Sequence, residues 1–508
     1  MPVTRLCDLV ERLAVPVTGD RSSTVEILDL TEDSRAVSPG FLFIARRGTQ
    51  THGGQFVADA AARGAGAILT DEATPTPVGT PTIRARDVAK AAGEIAELFF
   101  GEPSKKMKLV GVTGSNGKTT TAHLIQQILT LDGDRCGLMG TVFVDDGVDR
   151  RGANLTTPGA IEISRSLARM VDNDCRWCVM EASSHALDQR RVEALSFDAA
   201  VFTNLSGDHL DYHGTMEAYA AVKARLFANL RDGAVAVVNM DDEQSGRMII
   251  GFGGRVIRCS LANELADATA HSSGASLDGC AVTLRGPWGE IKGRTRLVGE
   301  HNLMNVLEAL CAAHAVGAEI GSRGGRLEEL APPPGRLEVV QIAGSDALPT
   351  VLVDYAHTDD ALARALSAVR PMVSTGGLLW VVFGCGGDRD ESKRPRMGAV
   401  AAVGADRVVV TSDNPRTQDS QRIIDAIVAG MPRRTCALAH VDADRRRAIN
   451  FTLEQASEDD IVLIAGKGHE NYQIVSDGKG GSKKIDFDDR LVATEALQRR
   501  AGAGAVAR

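Results

Sequence analysis

The sequence has no apolar run approaching the ~20 residues that a membrane span needs, so no crossing of a bilayer is expected. Met1 to Arg12 carries charges where a signal peptide needs an apolar stretch, and a cytoplasmic location is expected. There is no basic excess. The chain has 57 Lys and Arg against 66 Asp and Glu, a net charge of −9, which argues against a nucleic-acid binder. The 9 cysteines are odd in number and scattered, which suits a reducing compartment. Cys175-x-x-Cys178 is the one close pair. It lies in an apolar strand-like run with no second pair and no His-x-His partner, so a zinc site is not expected there. An N-K-x-D type guanine reader is also missing, which argues against a GTPase switch.

What is present is a chain of 508 residues, room for about three domains. Its 44% apolar and 24% charged residues are ordinary for globular cores and surfaces. The clearest local signal is Val110-Gly-Val-Thr-Gly114-Ser115-Asn116-Gly117-Lys118-Thr119-Thr120. Met107 to Val112 reads as a buried strand. Ala122, Ile125, Ile128 and Leu129 recur at helical spacing, with Gly133 as a stop. A glycine-rich turn between strand and helix aims backbone N–H groups and the positive helix end at one spot. Lys118 adds a charge and Thr119 a hydroxyl suited to Mg²⁺. The loop departs from the general phosphate-loop pattern, which would place glycine at Val112. The alternative is a glycine turn with an incidental lysine.

Residues 1 to about 100 alternate short helical and strand patterns. Leu6, Leu9, Val10 and Leu13 share a helical face. Strands are predicted at 41–44 and 67–69, and helices over 54–64 and 88–100. The clusters Asp33-Ser34-Arg35 and Arg47-Gly-Thr49-Gln50-Thr51-His52-Gly53 flank the first strand as ligand loops or solvated turns. Residues 101–106 read as a linker. Beyond the phosphate loop, Thr156-Thr157 offers two hydroxyls. The strand 177–180 ends in Glu181-Ala-Ser183-Ser-His, well placed to hold Mg²⁺ beside the loop. The strand 198–203 ends in Asn204-Leu-Ser-Gly-Asp208-His209-Leu-Asp211-Tyr212-His213, a catalytic or metal cluster or a polar loop. Lys223 lies in the next helix beside apolar neighbours, and spacing alone makes it a surface lysine. Residues 253–298 are strand-rich. A helix follows 299–302, and Ala331-Pro-Pro-Pro-Gly-Arg336 marks a boundary.

From about 337 four strands alternate with helices. Each ends in a polar cluster: Asp354-Tyr-Ala-His357, Gly384 to Asp390 with Arg389, Asp413-Asn414-Pro415-Arg416, and Gly466-Lys-Gly-His-Glu470. In a parallel sheet these ends share the ligand-binding edge. The small-residue tail 501–508 is expected to fray.

The motifs T-G-S-N-G-K-T-T, M-E-A-S-S-H, F-T-N-L-S-G-D-H-L-D-Y-H-G, G-E-H-N-L-M-N, P-G-R-L-E, D-Y-A-H-T, F-G-C-G-G-D-R-D, D-N-P-R and G-K-G-H-E occur in this order. Together they resemble the Mur ligases over nearly the whole chain, and within them the branch that adds the third amino acid of the peptidoglycan precursor. The resemblance implies an α/β protein of three domains: residues 1–104 for the UDP-sugar, 105–334 a central phosphate-loop ATPase domain with a parallel sheet, and 335–508 a Rossmann-like domain for the amino acid. It implies ATP-dependent amide-bond formation on UDP-N-acetylmuramoyl-L-alanyl-D-glutamate through an acyl phosphate, by a monomer that uses small molecules and neither nucleic acid nor membrane.

The resemblance also implies roles. Lys118 and the loop Gly114, Ser115, Asn116, Gly117, Thr119 and Thr120 would meet the ATP phosphates, with Asn302, Arg336, Asp354 and His357 at its nucleoside. Thr119, Glu181 and His209 would hold Mg²⁺, together with Lys223 as a carbamate (N6-carboxylysine). Ser34, Thr49, Gln50 and Thr51 would take the uridine, and Thr156, Thr157, Ser183, Gln189 and Arg191 the muramoyl-dipeptide. Arg389, Asp413, Asn414, Pro415, Arg416, Gly466 and Glu470 would take the amino acid. D-N-P-R is the version that goes with meso-diaminopimelate, whose far carboxylate Arg416 can grip as a bidentate pair. With L-lysine bound that arginine would be left unpaired. Three positions depart from the family pattern: Leu155, where some relatives have asparagine, Asp359, where proline is often found, and Gln418, where an acidic residue is common. The alternatives are a lysine-adding ligase, a folylpolyglutamate ligase sharing the phosphate loop, and a non-catalytic nucleotide-binding regulator.

Overall fold

The computed structural model describes residues 4–48, 51–273, 279–342 and 348–506. They form two compact units. The first comprises 1–205, 213–268 and 308–320; the second comprises 206–212, 269–307 and 321–508.

Besides a two-stranded pair, Thr4–Arg5 with Glu26–Ile27, the first unit holds two larger sheets. The N-terminal one is ordered Val17–Gly19, Thr82–Ala85, Ala67–Thr70, Phe41–Ile44, Asp29–Thr31, with all but the first strand parallel. Its apolar runs are buried on both faces. Leu42 and Ile44 pack with Leu69 and the helix Val88–Phe99, whereas Phe43 and Ile68 pack with Val57 and Ala60. Adjacent residues point to opposite faces, so a strand covered on both sides reads as a continuous apolar run. The predicted helix over 54–64 is a 3-10 turn, Gly53–Phe56, followed by an α-helix, Val57–Ala62.

The second sheet of this unit centres on Lys108–Thr113. It lies parallel between Trp177–Glu181 and Phe197–Phe202, with Leu230–Asn239 and then Arg255–Ser260 beyond. The parallel strands bring Thr113, Glu181 and Phe202 to one edge. The helix Lys118–Thr130 starts there, and the helix Met216–Ala228 packs alongside, with Thr215 accepting the Ala218 N–H as its cap.

In the second unit the strands Thr350–Asp354, Ile461–Ala465, Leu379–Phe383 and Arg407–Val410 are neighbours in that order and all parallel. Leu352, Val381, Phe383 and Leu463 face one core, and Val353, Trp380, Val382 and Ile464 face another. This is the doubly wound plan. It carries two extra edge strands: Glu338–Val340, antiparallel, and His440–Val441. A hairpin, Tyr472–Ser476 with Ser482–Asp486, follows the last main strand. The tail differs from expectation. The helix Asp489–Val506 runs through most of it, because Ala501 and its alanine neighbours are strong helix formers.

Candidate active site

The phosphate loop is held by its glycines. Gly114 has φ +150 and Gly117 φ +84, in the region that side chains avoid. A Cβ on Gly114 would stand 1.9 Å from Thr203 Oγ1. The loop is pressed onto the end of the strand Phe197–Phe202 and tied there. Ser115 N donates to Asn204 O at 2.8 Å, Asn116 N to Asn204 Oδ1 at 3.0 Å, and Thr203 Oγ1 to Asn116 O at 2.6 Å. Gly117 caps the following helix without a side chain, which leaves the helix end suited to an anion. Lys118 Nζ donates to Gly114 O at 2.8 Å and Ser115 O at 2.9 Å. Lys223 Nζ donates to that same Gly114 O at 2.8 Å. The surface reading of Lys223 is corrected here: it is 1% exposed and stands 4.4 Å from the Tyr219 ring centroid. The helix turns this face onto the phosphate loop, and spacing cannot reveal a polar neighbour of that kind.

Glu181, 1% exposed, forms the second focus. Its carboxylate accepts Thr119 Oγ1 at 2.9 Å, Thr141 N at 2.7 Å and Thr141 Oγ1 at 3.0 Å. Thr156 Oγ1 lies 3.1 Å from Thr141 Oγ1. Thr157 Oγ1 donates to Glu181 O at 2.7 Å and accepts Ser183 N at 3.0 Å. Arg191 donates to Thr157 O at 2.7 Å and to Gln189 Oε1 at 2.7 Å. Thus Thr156, Thr157, Ser183, Gln189 and Arg191 converge on one region next to the Thr119–Glu181 pair. A hydroxyl and a carboxylate oxygen side by side are hard donors suited to Mg²⁺, which takes few protein ligands and completes its shell with water and phosphate. Among the described residues no group of three or more His, Cys, Asp or Glu is arranged to ligate a metal.

Sequence reasoning missed Thr141 and Tyr219. Tyr219 reads as an apolar-face residue, yet its hydroxyl lies 3.1 Å from Ser115 Oγ. His213 Nε2 lies 2.9 Å from Ser184 Oγ, and its ring centroid is 5.1 Å from that of Tyr219. In the N-terminal sheet Ser34 is buried in a 3-10 turn, where Asp33 accepts the Arg35 N–H at 2.9 Å. Thr51 O accepts Gly48 N. Thr49 and Gln50 lie outside the described residues. A cleft of about 980 Å³ opens at the carboxyl edge of this sheet, lined among others by Arg46, Arg47, His52 and Arg86.

In the second unit Asp354 is buried at its strand end. It accepts Leu337 N and Ala356 N, each at 2.8 Å. Burial raises its carboxyl above the usual range, against the pull of Arg336 and those two N–H groups. Arg336 stacks 4.8 Å over the Tyr355 ring. Burial, and then Lys393, push His357 below the ordinary imidazole value. Asn302 donates to Val298 O at 2.7 Å and accepts Asn305 Nδ2 at 3.0 Å, so its amide is oriented by the segment before its helix and by the helix's next turn. His209 has φ +54, with Asp208 3.4 Å from its ring.

At the other strand ends Arg416, φ +54, donates to Gly387 O at 2.8 Å. Its guanidinium and the Arg389 side chain flank Gly386, where a Cβ would lie 2.9 Å from Arg416 Nη1 and 3.9 Å from Arg389 Cγ. Asn414, Pro415 and Glu470 surround the same edge, and Asn414 Nδ2 donates to Glu470 Oε2 at 2.9 Å. Gln418 is held by two side-chain neighbours. It accepts from Arg394 at 2.6 Å and donates to Glu391 at 2.9 Å. Asp359 takes the first turn of the helix Asp359–Val369, capped by Thr358, and pairs with Arg396 at 2.8 Å. An acidic residue suits that end as well as proline does.

Models of the Mur ligase family match the chain in three stretches: the family's catalytic domain at 26–100, its middle domain at 112–313 and its glutamate ligase domain at 335–468. The chain belongs to the Mur ligase family. Among its relatives is the UDP-N-acetylmuramoyl-L-alanyl-D-glutamate--2,6-diaminopimelate ligase of Synechococcus sp. (strain WH7803). It is 45% identical over 96% of this chain and 98% of the relative. A solved structure of a UDP-N-acetylmuramoyl-L-alanyl-D-glutamate--2,6-diaminopimelate ligase is 33% identical, with a TM-score of 0.67 over 98% of this chain and 99% of that one. The MurF ligase of Thermotoga maritima, solved with ADP, is 18% identical with a TM-score of 0.63 over 93% of this chain and 98% of that one, a likeness of fold.

Proposed function

We propose that this protein is an ATP-dependent ligase that joins meso-diaminopimelate to the D-glutamate of UDP-N-acetylmuramoyl-L-alanyl-D-glutamate, releasing ADP and phosphate. Residues 1–104, 105–334 and 335–508 bind the UDP-sugar, ATP and the amino acid respectively. The observation that carries the reading is the convergence of Lys118 and Lys223 on Gly114 O, within a loop that also presents Thr119 to Glu181. Transfer of the γ-phosphoryl group to the glutamate carboxylate gives an acyl phosphate. The amine attacks it, and the tetrahedral adduct collapses to the amide with loss of phosphate. Lys118 and the loop N–H groups lower the cost of charge on the transferring group. Thr119, Glu181, His209 and Lys223, the last as a carbamate, are the residues that would hold Mg²⁺, which supplies further charge neutralisation when bound. Ser34 and 49–51 take the uridine, and the Thr157–Arg191 group takes the dipeptide.

Arg416 and Arg389 side by side favour a substrate with a second carboxylate over L-lysine. A bidentate arginine site left unpaired by lysine discriminates by roughly 10⁴-fold. The test is phosphate release with ATP, Mg²⁺ and the UDP-dipeptide, comparing meso-diaminopimelate with L-lysine. Release with diaminopimelate alone is expected. Release with lysine would keep the ligase and overturn the pocket, and release with neither would favour a nucleotide-binding regulator. The protein acts in the cytoplasm as a monomer.

A further inference from the structure

Lys467 follows the strand Ile461–Ala465 and is 0% exposed. An ammonium removed from water needs anions and hydrogen-bond acceptors in reach. Lys467 has three such neighbours, all at the amino-acid edge. Nζ donates to Glu470 Oε2 at 3.0 Å and to Asn414 Oδ1 at 3.1 Å, and faces Asp413 Oδ1 at 3.6 Å. The set closes on itself through Asn414 Nδ2 and Glu470 Oε2. Asn414 Oδ1 also accepts the Ile474 N–H at 2.8 Å, so two donors fix which way the amide is turned. Asp413 is fixed through its backbone, where Gln473 Nε2 donates to its carbonyl at 2.6 Å. Its Oδ1 is buried without a hydrogen-bond partner.

Charge completes the argument. Asp413 and Glu470 bring two carboxylates against the one ammonium of Lys467. The neighbouring Arg445 is held by Asp489 at 2.7 Å. One negative charge is left for a ligand, near the Arg416 guanidinium, whose Nη1 lies 3.4 Å from Asn414 O. We infer that Lys467 is a positioning residue for the incoming diamino acid. Its buried ammonium locks Asn414 and Glu470 in one orientation and trims two carboxylates to a single net negative charge, which matches one substrate ammonium. The inference rests on the reading of this pocket as the amino-acid site.

The test is steady-state kinetics of the full-length chain carrying Lys467→Met or Lys467→Gln, varying each substrate in turn. Wild-type turnover with meso-diaminopimelate is the control, and its absence would remove the underlying reading and the inference with it. The expected result is a rise of about 30-fold or more in KM for diaminopimelate, the usual cost of unpairing a buried charge, with KM for ATP and for the UDP-dipeptide within about threefold of wild type. A second readout is kcat at saturating diaminopimelate, which falls less than kcat/KM when a binding contact is what is lost. Equal rises in all three KM values would overturn the inference, as would an unchanged diaminopimelate KM. Should neither neutral variant fold, Lys467→Arg decides. A folded Lys467→Arg with three unchanged KM values would make Lys467 a residue of the fold alone, and a selective loss for diaminopimelate would support the positioning role.

Discussion

Lys223 carries its stem inside the protein, so the usual alanine test confounds two effects. Truncating a buried side chain leaves a cavity that costs about 2–5 kcal/mol. Lys223→Met keeps the packing against Tyr219 and removes only the nitrogen that reaches Gly114 O. The expected outcome is a fall of roughly 10²-fold or more in kcat for Lys223→Met with a melting temperature close to wild type, while Lys223→Ala loses both. Near-normal turnover in the methionine variant would remove Lys223 from the metal and phosphate machinery. Glu308 poses a different question. It is fully buried, Thr121 Oγ1 donates to its Oε2 at 3.3 Å, and its Oε1 has no partner. Burial raises its carboxyl well above 4.5. In acid both the folded and the unfolded chain carry the proton. Above about pH 4.5 the unfolded chain releases it and the folded one does not, so stability falls as pH rises towards the folded value. Glu308→Gln should therefore stabilise the protein by about 1–3 kcal/mol at about pH 8, and by less at about pH 5. Urea unfolding at the two pH values measures this, and a variant less stable at the higher pH would reject it.

Among the elements, those buried on both faces are legible in the sequence. The strands predicted at 41–44, 177–180, 351–353 and 461–464 appear as unbroken apolar runs, and the structure keeps the first and extends each of the others by a residue at one or both ends. The elements that escape are short or one-sided. Glu338–Val340 and His440–Val441 are too brief to show a period, and they exist because an edge of the sheet offers hydrogen bonds. The hairpin arm Ser482–Asp486 is exposed throughout, so no core face marks it. One interaction between elements is also invisible in the sequence. Arg445, on the helix Arg445–Gln455, pairs with Asp489, at the start of the C-terminal helix, with both side chains 0% exposed. Arg445 also donates to Ala465 O at 2.9 Å, the end of the strand before Gly466. Arg445→Met leaves an unpaired buried carboxylate and should cost about 3–5 kcal/mol. Arg445→Met combined with Asp489→Leu should regain part of that loss, since the stranded charge is gone while the strand-end carbonyl still lacks its donor. Chemical denaturation of the two variants compares them, and a double variant no more stable than the single would refute the account.

At the scale of the molecule, the sequence shows which segments carry chemistry but not how distant segments tie together. The nine motifs mark the phosphate loop, Glu181 and the amino-acid edge. Lys223, Thr156, Thr157, Gln189, Arg191, Thr141 and Tyr219 lie outside them and are recruited by packing within the first unit. The same holds for the linker 101–106, which composition marks as a boundary and the structure fastens. Glu97, from the helix Val88–Phe99, accepts Ser104 Oγ at 2.6 Å and Ser104 N at 3.3 Å with one carboxylate oxygen. Its other oxygen accepts Ser164 Oγ at 2.7 Å, from the helix Ala160–Asp172. Ser104 Oγ in turn accepts Ser196 N at 3.2 Å. One buried side chain thus joins the N-terminal sheet's helix, the linker and a helix of the phosphate-loop sheet. Glu97→Ala leaves these donors without their acceptor and should loosen the linker before either sheet unfolds. Tryptic cleavage after Lys105 or Lys106 reports that opening, because the rate follows the population of the open form when closing is fast. A loss of about 1.4 kcal/mol or more in local stability gives at least about a tenfold faster cut. Glu97→Gln keeps the shape and one acceptor oxygen, and its NH2 can donate to the Ser164 hydroxyl, so it should cut near the wild-type rate. Equal, wild-type rates for both variants would mean that the sheets hold together without this fastening.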